Sequence, residues 1–191
     1  MSDLPRRELL RQAAAAAALG ALTAEAAQHV HHAAAADAKK TAGVYRPKLL
    51  NAHEYRTLEI LAGLIVPGAR RAGAAAFIDL MCHSSNEMSA IYTGGVAWLD
   101  RASQARAGAR FADAKPADQS ALLDLIAYRK NMTPELAPGI AFFDWARRMT
   151  LDAYYTSAEG VKELGYKGNA GMSGFKVPQE AIDYAVKRSG L

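Results

Sequence analysis

The chain has 191 residues, of which 51% are hydrophobic and 22% are charged, and its formal net charge is +4. This length suggests one domain with short additions, and the composition supplies enough apolar side chains for a core. Basic and acidic residues are interspersed, so no Lys/Arg block could neutralise a run of phosphates, and we expect no nucleic-acid binding. The single cysteine, Cys82, excludes an internal disulfide framework and cysteine-rich zinc or iron–sulfur sites within this chain.

The N-terminus has the layout of an export signal. Arg6 and Arg7 precede Leu9 and Leu10, and residues 13–24 form an uncharged, alanine-rich stretch of twelve residues. This is shorter than the about 20 residues that a membrane-spanning helix needs. Paired arginines before a weakly apolar stretch are typical of a twin-arginine signal, which exports proteins already folded. An ordinary amphipathic helix is the alternative, but the consecutive alanines leave it no polar face, so we predict a signal peptide over residues 1–26 with cleavage near Ala26.

Residues 27–49 predict a linker or extended arm, because they show no helical apolar stripe and contain Gly43 and Pro47. The tract His29, His31 and His32 invites a metal interpretation, since imidazole is a common metal ligand. A free-standing periplasmic metal-binding protein that uses this tract is therefore the alternative function. Only Asp37 stands nearby as a further ligand, so we favour a solvated spacer and predict no metal site.

The remaining residues, 50–191, predict helices. Asn51 and Glu54 form a capping box, and the helix that follows ends before Pro67. Further helices are expected near residues 74–83, 87–106 (weakened by Gly94 and Gly95), from 116, over 140–155, and after Pro178. The glycine-rich residues 165–174 predict a loop. No alternating β-branched pattern is present, so we expect an all-α fold: a small irregular helical bundle with an extended N-terminal arm and a Gly-rich C-terminal loop.

Sequence motifs for catalysis are missing. The chain has no nucleotide-binding glycine motif after a strand, no Walker loop and no nucleophile elbow. His53 and His83 are the imidazoles of the helical domain, and either would point to an enzyme if it lay beside a carboxylate in a deep pocket. Four aspartates lie on different predicted helices, and two of them could form a catalytic carboxylate pair in the folded chain: Asp79, Asp100, Asp144 and Asp152. We predict no catalytic, cofactor-binding or metal-binding residue.

Aromatic residues are concentrated in the fourteen residues 142–155 of the helix predicted over 140–155. Successive helical residues turn by about 100°, so Phe142, Phe143 and Trp145 cannot all face the core. A helix with aromatic residues on two faces often packs against two neighbours, of which the second could be another protein. The predicted partner interface comprises Phe142, Phe143, Trp145, Tyr154, Tyr155 and Tyr166. A core position for Trp145 remains the alternative.

Several ordered blocks of the chain resemble the gluconate 2-dehydrogenase subunit 3 family. The blocks are LAGLIVPGARRAGAAAFIDLM at 61–81, GGVAWLD at 94–100, DQSALLDLIA at 118–127 and FFDWARRMTLDAYYTSAEGVKELGYKGN at 142–169. The resemblance covers roughly residues 50–170. The segment between Ile65 and Gly73 departs from the pattern, because it lacks the acidic insert that many relatives carry there.

The resemblance implies a small, or gamma, subunit without a cofactor or activity of its own. Its partner would be a large flavoprotein of the glucose–methanol–choline oxidoreductase type, which holds FAD, and a cytochrome c subunit would take the electrons onward. In this family the small subunit often carries the twin-arginine signal, so the translocation machinery exports both chains together. We therefore expect a periplasmic complex attached to the inner membrane.

Overall fold

The computed structural model describes residues 6–18, 20, 22–166 and 177–189. Within these residues the chain forms helices and no strand, which confirms the all-α fold. The α-helices are α1 Arg6–Ala18, α2 Ala24–Lys39, α3 Ala52–Ile65, α4 Ala74–Ser84, α5 Asn86–Ala107, α6 Pro116–Ile126, α7 Ala137–Tyr155, α8 Ala158–Glu163 and α9 Gln179–Ser189. Two short 3-10 helices lie at Phe111–Asp113 and Arg129–Asn131.

Helix α4 lies at the centre of the bundle. Residues 74–82 are all buried, and α4 packs against α1, α2, α3, α5 and α7. A helix that is apolar on every side is stable only when other elements surround it. The run AAAFIDLMC therefore places α4 inside, and the amphipathic helices cover it.

Asp79 is the charged residue within this buried run, and it fixes the segment before α3. Its carboxylate accepts hydrogen bonds from the Tyr45 hydroxyl at 2.7 Å and from the backbone N–H groups of Lys48, Leu49 and Leu50 at 2.6, 3.2 and 2.9 Å. A buried carboxylate is tolerated when such donors replace water. Asp79 thus anchors residues 45–50 to α4 and sets where α3 begins.

The start of α3 is as predicted. The Asn51 side chain accepts a hydrogen bond from the Glu54 N–H at 3.0 Å, and the Glu54 carboxylate accepts one from the Asn51 N–H at 2.9 Å. This reciprocal capping box satisfies two N–H groups that have no partner within the helix.

Helices α5 and α7 cross in close contact at glycines. A Cβ atom added at Gly95 would overlap the ring of Phe142, and one added at Gly139 would overlap the ring of Trp98. The Phe142 ring of α7 therefore lies against the backbone of α5, and the Trp98 ring of α5 lies against the backbone of α7. Helix α5 runs unbroken through Gly94 and Gly95, and Gly95 is the one of the two that packs against α7.

The expectation of an extended arm over residues 27–49 is wrong for its first half. Residues 24–39 form α2, which is capped by Thr23 and buries Ala27, Val30, Ala33 and Asp37. Only the stretch from 40 to 51 is irregular. Alanine faces produce a weak sequence pattern, yet they pack well once a neighbouring helix approaches closely.

The alanines of residues 13–18 leave no polar face, which argued against an ordinary helix, yet these residues form the C-terminal part of α1. Leu10, Ala13, Ala14 and Ala17 form one buried face of α1, and α1 packs against α2 and α4. The signal peptide itself stays a prediction.

The C-terminal part of the chain is described only in portions. The predicted glycine-rich loop falls outside the described residues beyond Tyr166. Helix α9 follows, and none of its residues is buried. Among the helices that the structure describes, none combines the length and the apolar character needed to cross a bilayer.

Candidate partner interface

An apolar groove of about 250 Å³ opens on the surface between α5 and α7. Its lining residues are Ala90, Ile91, Gly94, Gly95, Trp98, Pro138, Ala141, Phe142 and Trp145. Small residues occupy much of both helices here, so the half-buried rings of Trp98 and Trp145 border a space that no side chain of the described residues fills. Half-buried tryptophans around an apolar depression are common centres of protein–protein contact. We treat this feature, the tryptophan groove, as the candidate interface.

The structure divides the predicted aromatic set into core and surface residues. Phe142, Phe143 and Tyr154 are 4%, 8% and 2% exposed, so they belong to the core of this chain. The ring of Phe142 packs edge-on against Tyr92, with 5.7 Å between the ring centroids. Trp145 is half-buried, and Tyr155 is exposed. Tyr166 is also exposed.

Trp145 is held in place by two polar contacts. Its carbonyl oxygen accepts a hydrogen bond from the buried Tyr92 hydroxyl at 3.3 Å. The guanidinium of Arg148 lies over its indole ring, 4.0 Å from the ring centroid, in a cation–π contact. Arg148 Nη2 also donates a hydrogen bond to the carbonyl oxygen of Ala17 in α1 at 3.1 Å. The contact with Arg148 therefore pre-positions the Trp145 ring at the groove, which limits the entropy lost when a partner binds.

A second exposed apolar area lies at the C-terminal end of α7. Leu151 and Tyr155 are one turn apart and are 38% and 36% exposed, and Leu164 and Tyr166 follow at 60% and 61%. Residues four apart share a helix face, so Leu151 and Tyr155 form one patch. Sequence reasoning named Tyr155 and Tyr166 but missed Leu151, Leu164 and Trp98, whose exposure follows only from how the helices pack.

Three of the predicted export residues, Arg6, Arg7 and Leu10, line a polar cleft of about 840 Å³ beside α1. Arg6 forms an ion pair with the buried Asp37 at 2.8 Å, and Lys40 and Lys48 approach the same carboxylate at 3.2 and 3.3 Å. Burial alone would raise the pKa of Asp37, but these cations outweigh it and lower the pKa to about 2. Arg7 is exposed and also lines the cleft. Leu9 is half-buried, and Leu10 is buried.

The three histidines of the tract lie on α2 and differ in their exposure. His31 faces the domain, where its Nε2 lies 3.0 Å from the Thr156 hydroxyl and its ring lies 4.9 Å from that of Phe77. Burial lowers the pKa of His31 below its ordinary value. His29 and His32 are exposed. Across the residues described by the structure, no group of three His, Cys, Asp or Glu side chains is placed to hold a metal ion.

His53 lies beside a carboxylate, which is the pairing that would point towards an enzyme. Its Nε2 is 2.5 Å from Asp100 Oδ2, and Asp100 Oδ1 accepts a hydrogen bond from the Phe111 N–H at 3.1 Å. The pair joins α3 to α5 and to the first 3-10 helix, and the clefts around Arg6 and His31 do not include it. We interpret it as a contact between elements. His53 and Asp100 are far apart in the sequence, so the pairing left no local signal.

The other aspartates have separate surroundings. Asp79 binds the 45–50 segment, and Asp144 pairs with Arg129 at 2.8 Å. Asp152 is half-buried, and burial raises its pKa. The contacts of Asp79 and Asp144 therefore join separate elements of the fold.

Comparison with known proteins identifies a family for the part of the chain that contains the tryptophan groove. A family model described as gluconate 2-dehydrogenase subunit 3 matches residues 52–171, which include α3 to α8 and the whole tryptophan groove. Searches of curated proteins and of solved structures find no match. The family model covers well over half of the chain, and the chain belongs to the gluconate 2-dehydrogenase subunit 3 family.

Proposed function

We propose that this chain is the non-catalytic small subunit of a periplasmic, FAD-dependent dehydrogenase that acts on a sugar or on gluconate. Its role is to export the catalytic flavoprotein and to stabilise it. Membership of the subunit 3 family carries this proposal. The partner is a flavoprotein of the glucose–methanol–choline oxidoreductase type, and a cytochrome c subunit takes its electrons.

The physical argument concerns the order of folding and export. A flavoprotein that binds FAD before export must fold in the cytoplasm, and the twin-arginine route carries folded cargo. One signal, with Arg6 and Arg7, then serves both chains if their interface survives the passage. Interfaces of such obligate complexes bury more than about 2,000 Å² and are rich in apolar contacts. The tryptophan groove and the Leu151–Tyr155 patch supply surface of this kind.

Copurification with the flavoprotein tests the assembly. A large flavoprotein subunit from the same organism is expected to copurify with this chain and to carry the flavin absorbance. The small subunit purified alone is expected to show no flavin or haem band. A small subunit that retains no flavoprotein, or that is coloured by itself, would contradict the proposal.

Trp145→Ala tests whether the groove contacts the flavoprotein. Buried interface tryptophans cost about 2 kcal/mol or more when truncated, which corresponds to roughly a thirtyfold weaker complex. Tyr128→Ala is the matched control, because Tyr128 is an aromatic residue that is 56% exposed and does not line the groove. The expected result is weaker copurification of the Trp145 variant while the melting temperature of the isolated subunit stays nearly unchanged. A melting temperature lowered by many degrees, with pairing intact, assigns Trp145 to the core.

Replacement of both Arg6 and Arg7 by Lys tests the export role. Lysine keeps the charge but lacks the planar guanidinium. We expect both subunits to remain in the cytoplasm. Normal dehydrogenase activity in the periplasm of this variant would show that the paired arginines are not the signal.

A further inference from the structure

Helix α1 is docked on its own domain along one complete face. Leu10, Ala13, Ala14 and Ala17 follow the i, i+3, i+4, i+7 spacing and are at most 8% exposed. Their neighbours are α2 and α4, and the alanines permit close approach of the helix backbones. Arg7, Arg11 and Ala15 lie outside this face and are exposed.

Arginine contacts hold both ends of this docked helix. At the N-terminal end, Arg6 Nη2 donates to Asp37 Oδ2 at 2.8 Å and to the Ala33 carbonyl oxygen at 3.0 Å. At the C-terminal end, Arg148 of α7 donates to the Ala17 carbonyl oxygen at 3.1 Å. The same carbonyl oxygen accepts a backbone hydrogen bond from the Gly20 N–H at 3.0 Å, so Arg148 adds a charged donor at the C-terminal end of the helix, where the helix dipole favours a cation.

The N-terminal contact engages one member of the arginine pair. Arg6 is bound to a buried carboxylate, whereas Arg7 is exposed. A receptor that recognises both guanidinium groups must compete with Asp37 for Arg6, and it must also separate the apolar face of α1 from α2 and α4. Docking and recognition of the pair are therefore competing states of the same segment.

We propose that α2 and α4 form an intramolecular docking site for α1, and that the docked helix withholds Arg6 from the export machinery until α1 detaches. The inference rests on the proposed function, because it requires Arg6 and Arg7 to be an export signal. It adds a self-masking contact that slows export of the precursor.

Hydrogen exchange of the full chain tests the docking. An isolated helix of this length is marginal in water, so amide protection in residues 6–18 reports packing against the domain. We expect Ala14→Glu to abolish this protection, because Ala14 is fully buried, and Ala15→Glu to leave it unchanged, because Ala15 is exposed. Both changes add the same charge to the same helix. Absent protection in the wild-type chain, or equal effects of the two variants, would overturn the proposal.

Asp37→Asn tests the masking without altering the signal itself. Loss of one hydrogen bond to a charged acceptor is expected to reduce the protection of α1 by about tenfold. The initial export rate of the precursor should rise several-fold. Asp37→Glu keeps the charge and should restore slow export, and Asp113→Asn is the control, since Asp113 forms an exposed ion pair with Arg56. An unchanged export rate in a folded Asp37→Asn variant whose α1 has lost protection would overturn the masking.

Arg7→Lys separates this inference from the proposed function. It changes the arginine pair and leaves the Arg6–Asp37 contact in place. If Arg7→Lys is exported as well as the wild type while α1 stays protected, the arginine pair is not an export signal. The export role and the masking are then both wrong, whereas the docking of α1 still stands. Loss of export in Arg7→Lys, combined with faster export of Asp37→Asn, supports both.

Discussion

Adjacent glycines in α5 should respond to the same substitution in opposite directions. Gly94 and Gly95 both lie inside α5, far from its ends. A Cβ at Gly94 meets nothing within 4 Å, whereas a Cβ at Gly95 would overlap the ring of Phe142. Gly94→Ala and Gly95→Ala are therefore a matched pair that isolates the contact between α5 and α7.

The expected magnitudes follow from two effects. Replacing an interior helical glycine by alanine stabilises a helix by about 1 kcal/mol, and both variants gain this contribution. Only Gly95→Ala also overpacks the core, and because the buried ring of Phe142 must shift as a whole, the cost is at the upper end of about 1–3 kcal/mol. Gly94→Ala should stabilise the protein by about 1 kcal/mol, and Gly95→Ala should destabilise it by about 2 kcal/mol.

Urea denaturation followed by circular dichroism measures this difference of about 3 kcal/mol. For a chain of this size, it corresponds to melting temperatures separated by roughly 6–12 °C. A stabilised Gly95→Ala variant, or two variants with the same midpoint, would refute the close crossing of α5 and α7. Because Gly94 lines the tryptophan groove, a stable Gly94→Ala variant that binds the flavoprotein more weakly would also support the groove as the interface.

Three further predictions concern buried polar groups. Asp79→Asn should lower the free energy of unfolding by about 2–4 kcal/mol in a urea titration, because donors from residues 45–50 lose a charged acceptor. The control Asp113→Asn removes an exposed ion pair and should change the free energy of unfolding by less than about 1 kcal/mol. Burial and the neighbouring Asp79 raise the pKa of Tyr45. The contribution of Tyr45 to stability should therefore be complete below about pH 10 and fall as the pH rises further, because only the unfolded chain then releases the phenolic proton. A pH series of melting curves should show a smaller fall for Tyr45→Phe. Burial also raises the pKa of the Cys82 thiol, so a thiol reagent at pH 8 should label it only after denaturation, and rapid labelling of the native chain would contradict its burial.

The family-matched part of the fold was predictable because its signals are local. The Asn51–Glu54 capping box and Pro67 bracket α3, and Pro116 marks the first turn of α6. Large apolar residues recur at helical spacing in these segments, so the pattern indicates a helix without knowledge of its neighbours. The resemblance of residues 50–170 to the subunit 3 family was confirmed by the family match.

The candidate site was predictable only in part. The crowding of aromatic residues on α7 indicated more than one contact surface, but it did not tell which rings face the core. Phe142 is buried because α5 offers Gly95 opposite it, and Trp145 remains half-buried because the facing residues are small. These outcomes depend on how two distant helices cross.

By itself, the sequence determined the all-α class, the approximate positions of α3 to α7, and the family, since capping residues, prolines and strong apolar stripes act over a few residues of chain. Only the tertiary structure decided that the alanine-rich helices α1 and α2 pack against α4, that Asp37 binds Arg6, and that His53 meets Asp100. Alanine has too little side chain to mark a buried face, so its burial depends on a neighbouring helix that comes close. Ion pairs between residues far apart in the chain likewise exist only after the helices have been brought together.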